Sequence, residues 1–380
     1  AGSQAALNES DTTEPAFIST VFVEDTDGTD DVMRRLTAAM TGRGYDFYSM
    51  IRRDDVVLLQ INAQWAERGG TNTDLIGLVI RAILDHPDGF IGEIIVADNG
   101  QAQFGSDGQG GSLDWAQSNA QDTSRSTITV IREFQEQGYF VTGVLWDKFT
   151  LVRVDEFSEG DNNDGFVVED FVRDTGFEIS YPKFITEFGT HVSFRHGIWD
   201  PYYEIYHEDR LKVINMPVLK SHFIFQQTGA VKGYMGTVSD RLTGGRPHNS
   251  VGMGGMGTQM AHTRMPVLNI MDMIWIAPDR GPAAPFDRAV QVNLIAASTD
   301  PVALDVWATT NVLIPQAERF PGGRAAAMSP QGTEPGTFGH WLGLSLNEML
   351  AAGYNFTMCP DETQVVINGR PEQRAEGVRF

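Results

Sequence analysis

The chain has 380 residues, 41% of them hydrophobic and 10% aromatic, which is enough apolar side chain for a large core and excludes disorder of the whole. Its 28 Lys+Arg against 50 Asp+Glu give a formal charge of -22, which argues against duplex DNA or an anionic membrane as main partner, since both reward a broad basic face. No run approaches the roughly 18 to 20 apolar residues that span a bilayer, and the single Cys359 allows neither an intrachain disulfide nor a cysteine-ligated iron–sulfur cluster.

Residues 1–14 read as a polar arm with the acids Glu9, Asp11 and Glu14. The start at Ala1 is what signal-peptide removal would leave, and with scarce cysteine and lysine it suggests an extracytoplasmic setting, periplasmic or extracellular. Residues 17–23 form a strand candidate. The acidic turn after it offers Asp25, Asp27 and Asp30 as calcium ligands, although it lacks the twelve-residue loop spacing with its terminal Glu. Residues 32–40 are helical in spacing. Residues 56–61 (VVLLQI) are a continuous apolar run of the kind buried on both faces of a parallel sheet. A Gly-rich loop follows at 68–72, and Thr73 and Asp74 are placed to cap a helix with apolar Leu75, Leu78, Val79, Ala82 and Ile83. Residues 91–97 are the next strand, which makes a βαβ unit and gathers functional groups at strand ends: Asn62 after the first strand, Asp98 and Asn99 after the second.

Residues 101–126 read as a long polar loop, 127–137 as a helix, and 139–180 as short β-branched runs around a second acidic patch. Leu211–Met216, 267–276 and 292–297 read as further buried strands. Asp300 is an N-cap candidate with Pro301 at the first helical position and Asp305 in the first turn of a helix to about residue 311. The last 65 or so residues are rich in Pro, Gly and Ala around a short helix near 344–352.

Residues 211–271 run against the charge of the whole: Lys212, Lys220, Lys232, Arg241, Arg246 and Arg264 face the single acid Asp240. Three of the chain's five lysines sit there. Lys220 and Lys232 follow a strand end, where they can neutralise a carboxylate or phosphate, and His222 between them is a candidate acid or base. Arg241, Arg246 and His248 extend the basic set, with Asn62 orienting a ligand from the neighbouring strand end. Gly252, Gly254 and Gly257 fit G-x-G-x-x-G literally, but without a strand before them they read as a loop closing over the basic pocket. His248, Met253, Met256 and His262 are a soft-ligand set that would suit copper.

The run VINMPVLKSHFIFQQTGAVKGYMG, the later Gly281-Pro282 and ASTDPVALD at 297–305 resemble the DUF362 family of uncharacterised α/β proteins. The upstream VVLLQIN and TNTDLIGLVIRAIL resemble that family's opening strand and helix, so the likeness runs from about residue 56 to 313. Gln60 stands where the family usually has lysine, and Lys232-Gly233 where it has Lys-Asn. Many members carry ferredoxin-type cysteines, which this chain lacks, so electron transfer is not implied. The family resembles in fold the N-terminal domain of nickel-dependent lactate racemases.

These observations predict an α/β protein with a mostly parallel sheet flanked by helices. Its organisation would be an arm at 1–14, a DUF362-like domain at 15–315, and an irregular C-terminal extension at 316–380 packed on that domain. The leading expectation is a strand-end pocket for an anionic small molecule. The alternatives are a structural subunit of a homo-oligomer, whose arm docks into a neighbour's basic segment, and a nickel- or copper-dependent enzyme.

Overall fold

The computed structural model describes residues 17–101, 111–115, 117–244, 246–282, 285–321 and 324–372, so the arm at 1–14 and the Arg246 side chain lie outside the described residues. Apolar runs become strands in the order that their patterning predicts. The chain makes β1 (Ser19–Asp25), the helix Val32–Thr41, β2 (Val56–Ile61), the helix Thr73–Leu84, β3 (Glu93–Asp98), the helix Thr127–Gln135 and β4 (Val141–Leu145). Strands β2, β3 and β4 pair in parallel, Leu59 opposite Val96 and Val96 opposite Gly143. Every residue of β2 is buried. Its alternation sends Val57, Leu59 and Ile61 into a core with these helices, and Val56 and Leu58 into a second core on the other face.

The chain then leaves the sheet and builds a separate antiparallel meander: β5 (Gly165–Val172), β6 (Glu178–Ile185), β7 (His191–Ser193), β8 (Gly197–Asp200) and β9 (Ile205–His207). Phe166, Ile179, Tyr181 and Phe184 of this sheet enter the second core. The main sheet resumes with β10 (Leu211–Met216), inserted beside β2, then β11 (Val218–His222), β12 (Gln226–Thr228), β13 (Leu268–Ala277), β14 (Val290–Ser298), β15 (Thr363–Ile367) and β16 (Arg370–Pro371). The long path of the sheet is β16-β15-β1-β14-β13-β10-β2-β3-β4. It is mostly parallel with helices on its faces, as the sequence predicts.

Four local expectations are corrected. The cap of the helix Thr73–Leu84 is Asn72, whose side chain accepts from Asp74 N and Leu75 N. Strand β14 runs antiparallel to both β13 and β1, and its first half alternates between partly exposed and exposed positions. The last segment contributes a strand, since β15 pairs with β1 in parallel, Val21 opposite Val365. Residues 252–257 are not a loop over the pocket. They end a short 3-10 turn and open the helix Gly255–His262 against the helix Phe338–Ala351. A Cβ on Gly257 would lie 2.1 Å from Ser345 O, so these glycines let two helices touch.

Candidate functional site

From β2 the chain proceeds to β3 and β4 on one side, while β10 returns on the other side of β2. Neighbouring strands whose connections diverge leave a crevice beyond their carboxyl ends, where open α/β sheets bind ligands. Pro217 ends β10, and the chain continues as β11, which pairs with β13 and β12 and no longer with β2. The seam is tied by side chains. Asn62 Oδ1 accepts from Val218 N at 2.9 Å, and Thr71 Oγ1 donates to Met216 O at 2.7 Å. The cleft above it is lined by Asn62, Gln64 and Trp65 after β2, Asp98 and Gln101 after β3, and Lys220, His222, Phe223, Thr228, Lys232 and Gly233 from the β11 region. His248 and Pro282 complete the wall.

Lys220 and Lys232 are 3% and 4% exposed. Lys220 Nζ donates to Gly69 O at 2.5 Å, a carbonyl it reaches because Gly69 lacks a Cβ that would meet Phe286 and Trp65 within 3 Å. Burial pushes the Lys220 ammonium down to about 7, with the charge of Lys232 adding to the fall and Asp98 and Asp272 opposing it. Burial likewise pushes Lys232 down to about 8 against the pull of Asp240. Lys232 Nζ lies 5.5 Å from the Phe225 ring centroid and has no hydrogen bond or ion pair among the described residues. It stands on the short helix Ala230–Gly233, whose buried N-terminus is held by Asp305. That carboxylate accepts from Ala230 N (2.6 Å) and Val231 N (3.0 Å). Asp300 caps its own helix, Pro301–Ala308, accepting from Val302 N and Ala303 N. The two aspartates of the ASTDPVALD run therefore serve two different helices.

His222 is buried, and its Nδ1 accepts from both Ile224 N (3.1 Å) and Phe225 N (3.2 Å). A ring nitrogen that accepts two backbone N–H groups carries no proton, so the neutral ring presents Nε2–H. Burial, then the neighbouring Lys232, His248 and Lys220, push the imidazole far below its ordinary value. His248 lies 6.2 Å from it, centroid to centroid, with Nδ1 3.5 Å from Asp240 Oδ2. Two buried carboxylates, Asp98 and Asp272, act on the charge of Lys220. Asp98 Oδ2 accepts from Ala63 N and Gly100 N, and Asp272 accepts from Asn72 N, Ile274 N and Asn119 Nδ2. Burial raises both to about 7. Gln64 Nε2 and Thr228 Oγ1, both in the cleft wall, are buried without a hydrogen-bond partner among the described residues.

The structure thus brings Asn62, Lys220, His222, Lys232 and His248 to one cleft. Arg241 is exposed and is not among the lining side chains. The soft-ligand set is dispersed. Met256 is in the second core, Met253 is half exposed beside Gly176, and both ring nitrogens of His262 lie about 3.5 Å from Arg173. Of the acidic turn, Asp27 accepts from Thr29, Asp30 bonds Thr26 and Arg35, and Asp25 accepts from Asn368. Among the described residues no three His, Cys, Asp or Glu side chains are grouped to hold a metal ion, and no helix is long and apolar enough to cross a membrane. Gln64, Trp65, Phe223, Thr228 and Pro282 were not singled out as site residues. Gln64 and Trp65 lie two and three residues after Asn62, and Phe223 directly follows His222, so strand-end position is the signal that the sequence offers.

No curated protein matches the chain. Residues 204–310, from the turn before β9 to the end of the helix that Asp300 caps, match the profile of the family described as a domain of unknown function, DUF362. That match covers Lys220, His222, Lys232, Asp300 and Asp305, so the part of the chain carrying the basic wall of the cleft is similar to DUF362.

Proposed function

We propose that the cleft binds a small anionic molecule through its carboxylate or phosphate, with Lys220 and Lys232 as counter-charges. The observation that carries this reading is two buried ammonium groups in one cleft, neither ion-paired to a carboxylate among the described residues. A buried charge without a partner is costly, and an anion between the two lysines would supply the missing counter-charge. His222 contributes a hydrogen-bond donor through Nε2–H, in place of the acid–base role expected from sequence, because its Nδ1 is already occupied. Asn62 holds the seam through Oδ1 and turns toward the ligand from the β2 side.

Titration calorimetry with acetate and with inorganic phosphate tests the reading. Charge-assisted hydrogen bonds contribute about 1.5–3 kcal/mol, so Lys220→Met or Lys232→Met should each weaken binding roughly 10- to 100-fold. Unchanged affinity in the double variant would overturn it.

A further inference from the structure

The tip of the β11–β12 hairpin is an unusual turn. Phe223 and Ile224 occupy it and are 57% and 49% exposed, whereas turns are normally built from Gly, Asn, Asp, Ser or Pro. Mobility does not account for this exposure, since the tip's backbone is tied at each position. Phe223 N donates to Gly281 O at 3.2 Å, and Phe223 O accepts from Arg324. Ile224 O accepts from Gln226 Nε2 at 3.1 Å, and the same amide donates to Gly336 O. Gln226 itself has φ +69°, a left-handed conformation that a non-glycine residue adopts only when its surroundings hold it there. The Phe223 ring lies nearly parallel to His222, with centroids 5.2 Å apart and 17° between planes, and it lines the same cleft as Trp65. The cleft therefore has a cationic floor of Lys220 and Lys232 and an aromatic mouth of Trp65 and Phe223, with Ile224 beside it.

Resting on the anion reading above, we infer that the ligand is an anion attached to an apolar body, an aryl or acyl carboxylate or phosphate, whose body lies against Phe223 and Ile224 while its charged head reaches Lys220 and Lys232. The hairpin tip is rigid, apolar and continuous with the charged floor. A bare inorganic anion would leave that apolar surface in water. A ligand body covering one face of Phe223 removes apolar area from water on both partners, which at the usual coefficient is worth roughly tenfold in affinity.

The test compares matched pairs by titration calorimetry on the full chain: 3-phenylpropionate against acetate, and phenyl phosphate against inorganic phosphate. In the wild type the member with the apolar body should bind about tenfold more tightly in at least one pair. In Phe223→Ser/Ile224→Ser, which places ordinary turn residues at an exposed tip, that ratio should fall to about one, and Ile224→Ser alone should lower it partway. A ratio near one in the wild type, or a full ratio in the double variant, overturns the apolar-body inference and leaves the anion reading standing. Failure of all four probes to bind overturns both. Concentration-dependent self-association abolished by Phe223→Ser/Ile224→Ser, without any change in the ratio, would assign the tip to a second copy of the chain and also overturn the inference.

Discussion

At the scale of single residues, the two lysines should make the proposed anion binding depend on pH in one direction. Lys220 is charged below about 7 and Lys232 below about 8, because burial disfavours their ammonium forms. Acetate is fully ionised above pH 6, so its affinity should be greatest near pH 6 and fall as pH rises to 9 and first Lys220, then Lys232, loses its proton. Calorimetry across that range checks it, and Lys232→Met should remove the part of the fall nearest pH 8. The stability contribution has the opposite sense. With folded values below the ordinary 10.5, each lysine is protonated in the unfolded chain and neutral in the folded one between about 7 or 8 and 10.5. Its cost is therefore full on the acid side and relieved as pH rises through that window. Asp98 and Asp272, raised from 3.8 to about 7, cost stability above 7 and are relieved as pH falls toward 4.

At the scale of elements, Asp305 joins the helix Pro301–Ala308 to the helix bearing Lys232. Asp305→Ala would orphan two buried N–H groups at the start of Ala230–Gly233, at a cost of about 2–4 kcal/mol in urea denaturation. It should also weaken phosphate binding, because Lys232 loses the support of its helix. Gly257→Ala should cost several kcal/mol by comparison, since its Cβ has backbone of the facing helix 2.1 Å away and no flexible side chain to displace. These cases show what sequence reading reaches and where it stops. Strand β10 is legible to the residue, because a strand between two parallel neighbours is mostly apolar, as Leu211, Val213, Ile214 and Met216 are. Asp300 was legible as a cap because its partners are two and three residues away. Asp305 looked like a residue of its own helix, yet its acceptor oxygens serve residues 74 and 75 positions earlier, a pairing that local pattern cannot carry. The meander β5–β9 was not recognised as a sheet, since three of its strands have only three or four residues and show no resolvable period. Charge counting grouped Arg241 with the lysines, although it is exposed while Lys220 and Lys232 are buried.

At the scale of the whole molecule, one buried carboxylate ties the two sheets. Glu93, at the start of β3, accepts from Thr142 of β4 (2.5 Å) and from Thr186 (3.1 Å) and Thr190 (2.6 Å) in the turn between β6 and β7. Burial raises its pKa in spite of the three hydroxyl donors. Glu93→Ala should destabilise the chain by about 2–4 kcal/mol, whereas Glu93→Gln, which keeps an acceptor for the hydroxyls, should cost less than half of that. Urea denaturation followed by tryptophan fluorescence distinguishes the two, since Trp146 and Trp199 lie in or beside the joined sheets.

The seam at Pro217 gathers the proposed ligand contacts on one piece of chain. Beyond that residue the strand gives up its pairing with β2, and Lys220, His222, Phe223, Thr228 and Lys232 all fall on one uninterrupted stretch of thirteen positions, 220–232. Charge, donor and apolar rim therefore travel together. On the proposed anion reading, exchanging this one segment would move the lysines, the His222 donor and Phe223 together, and would carry the core residues Phe225, Ala230 and Val231 with them.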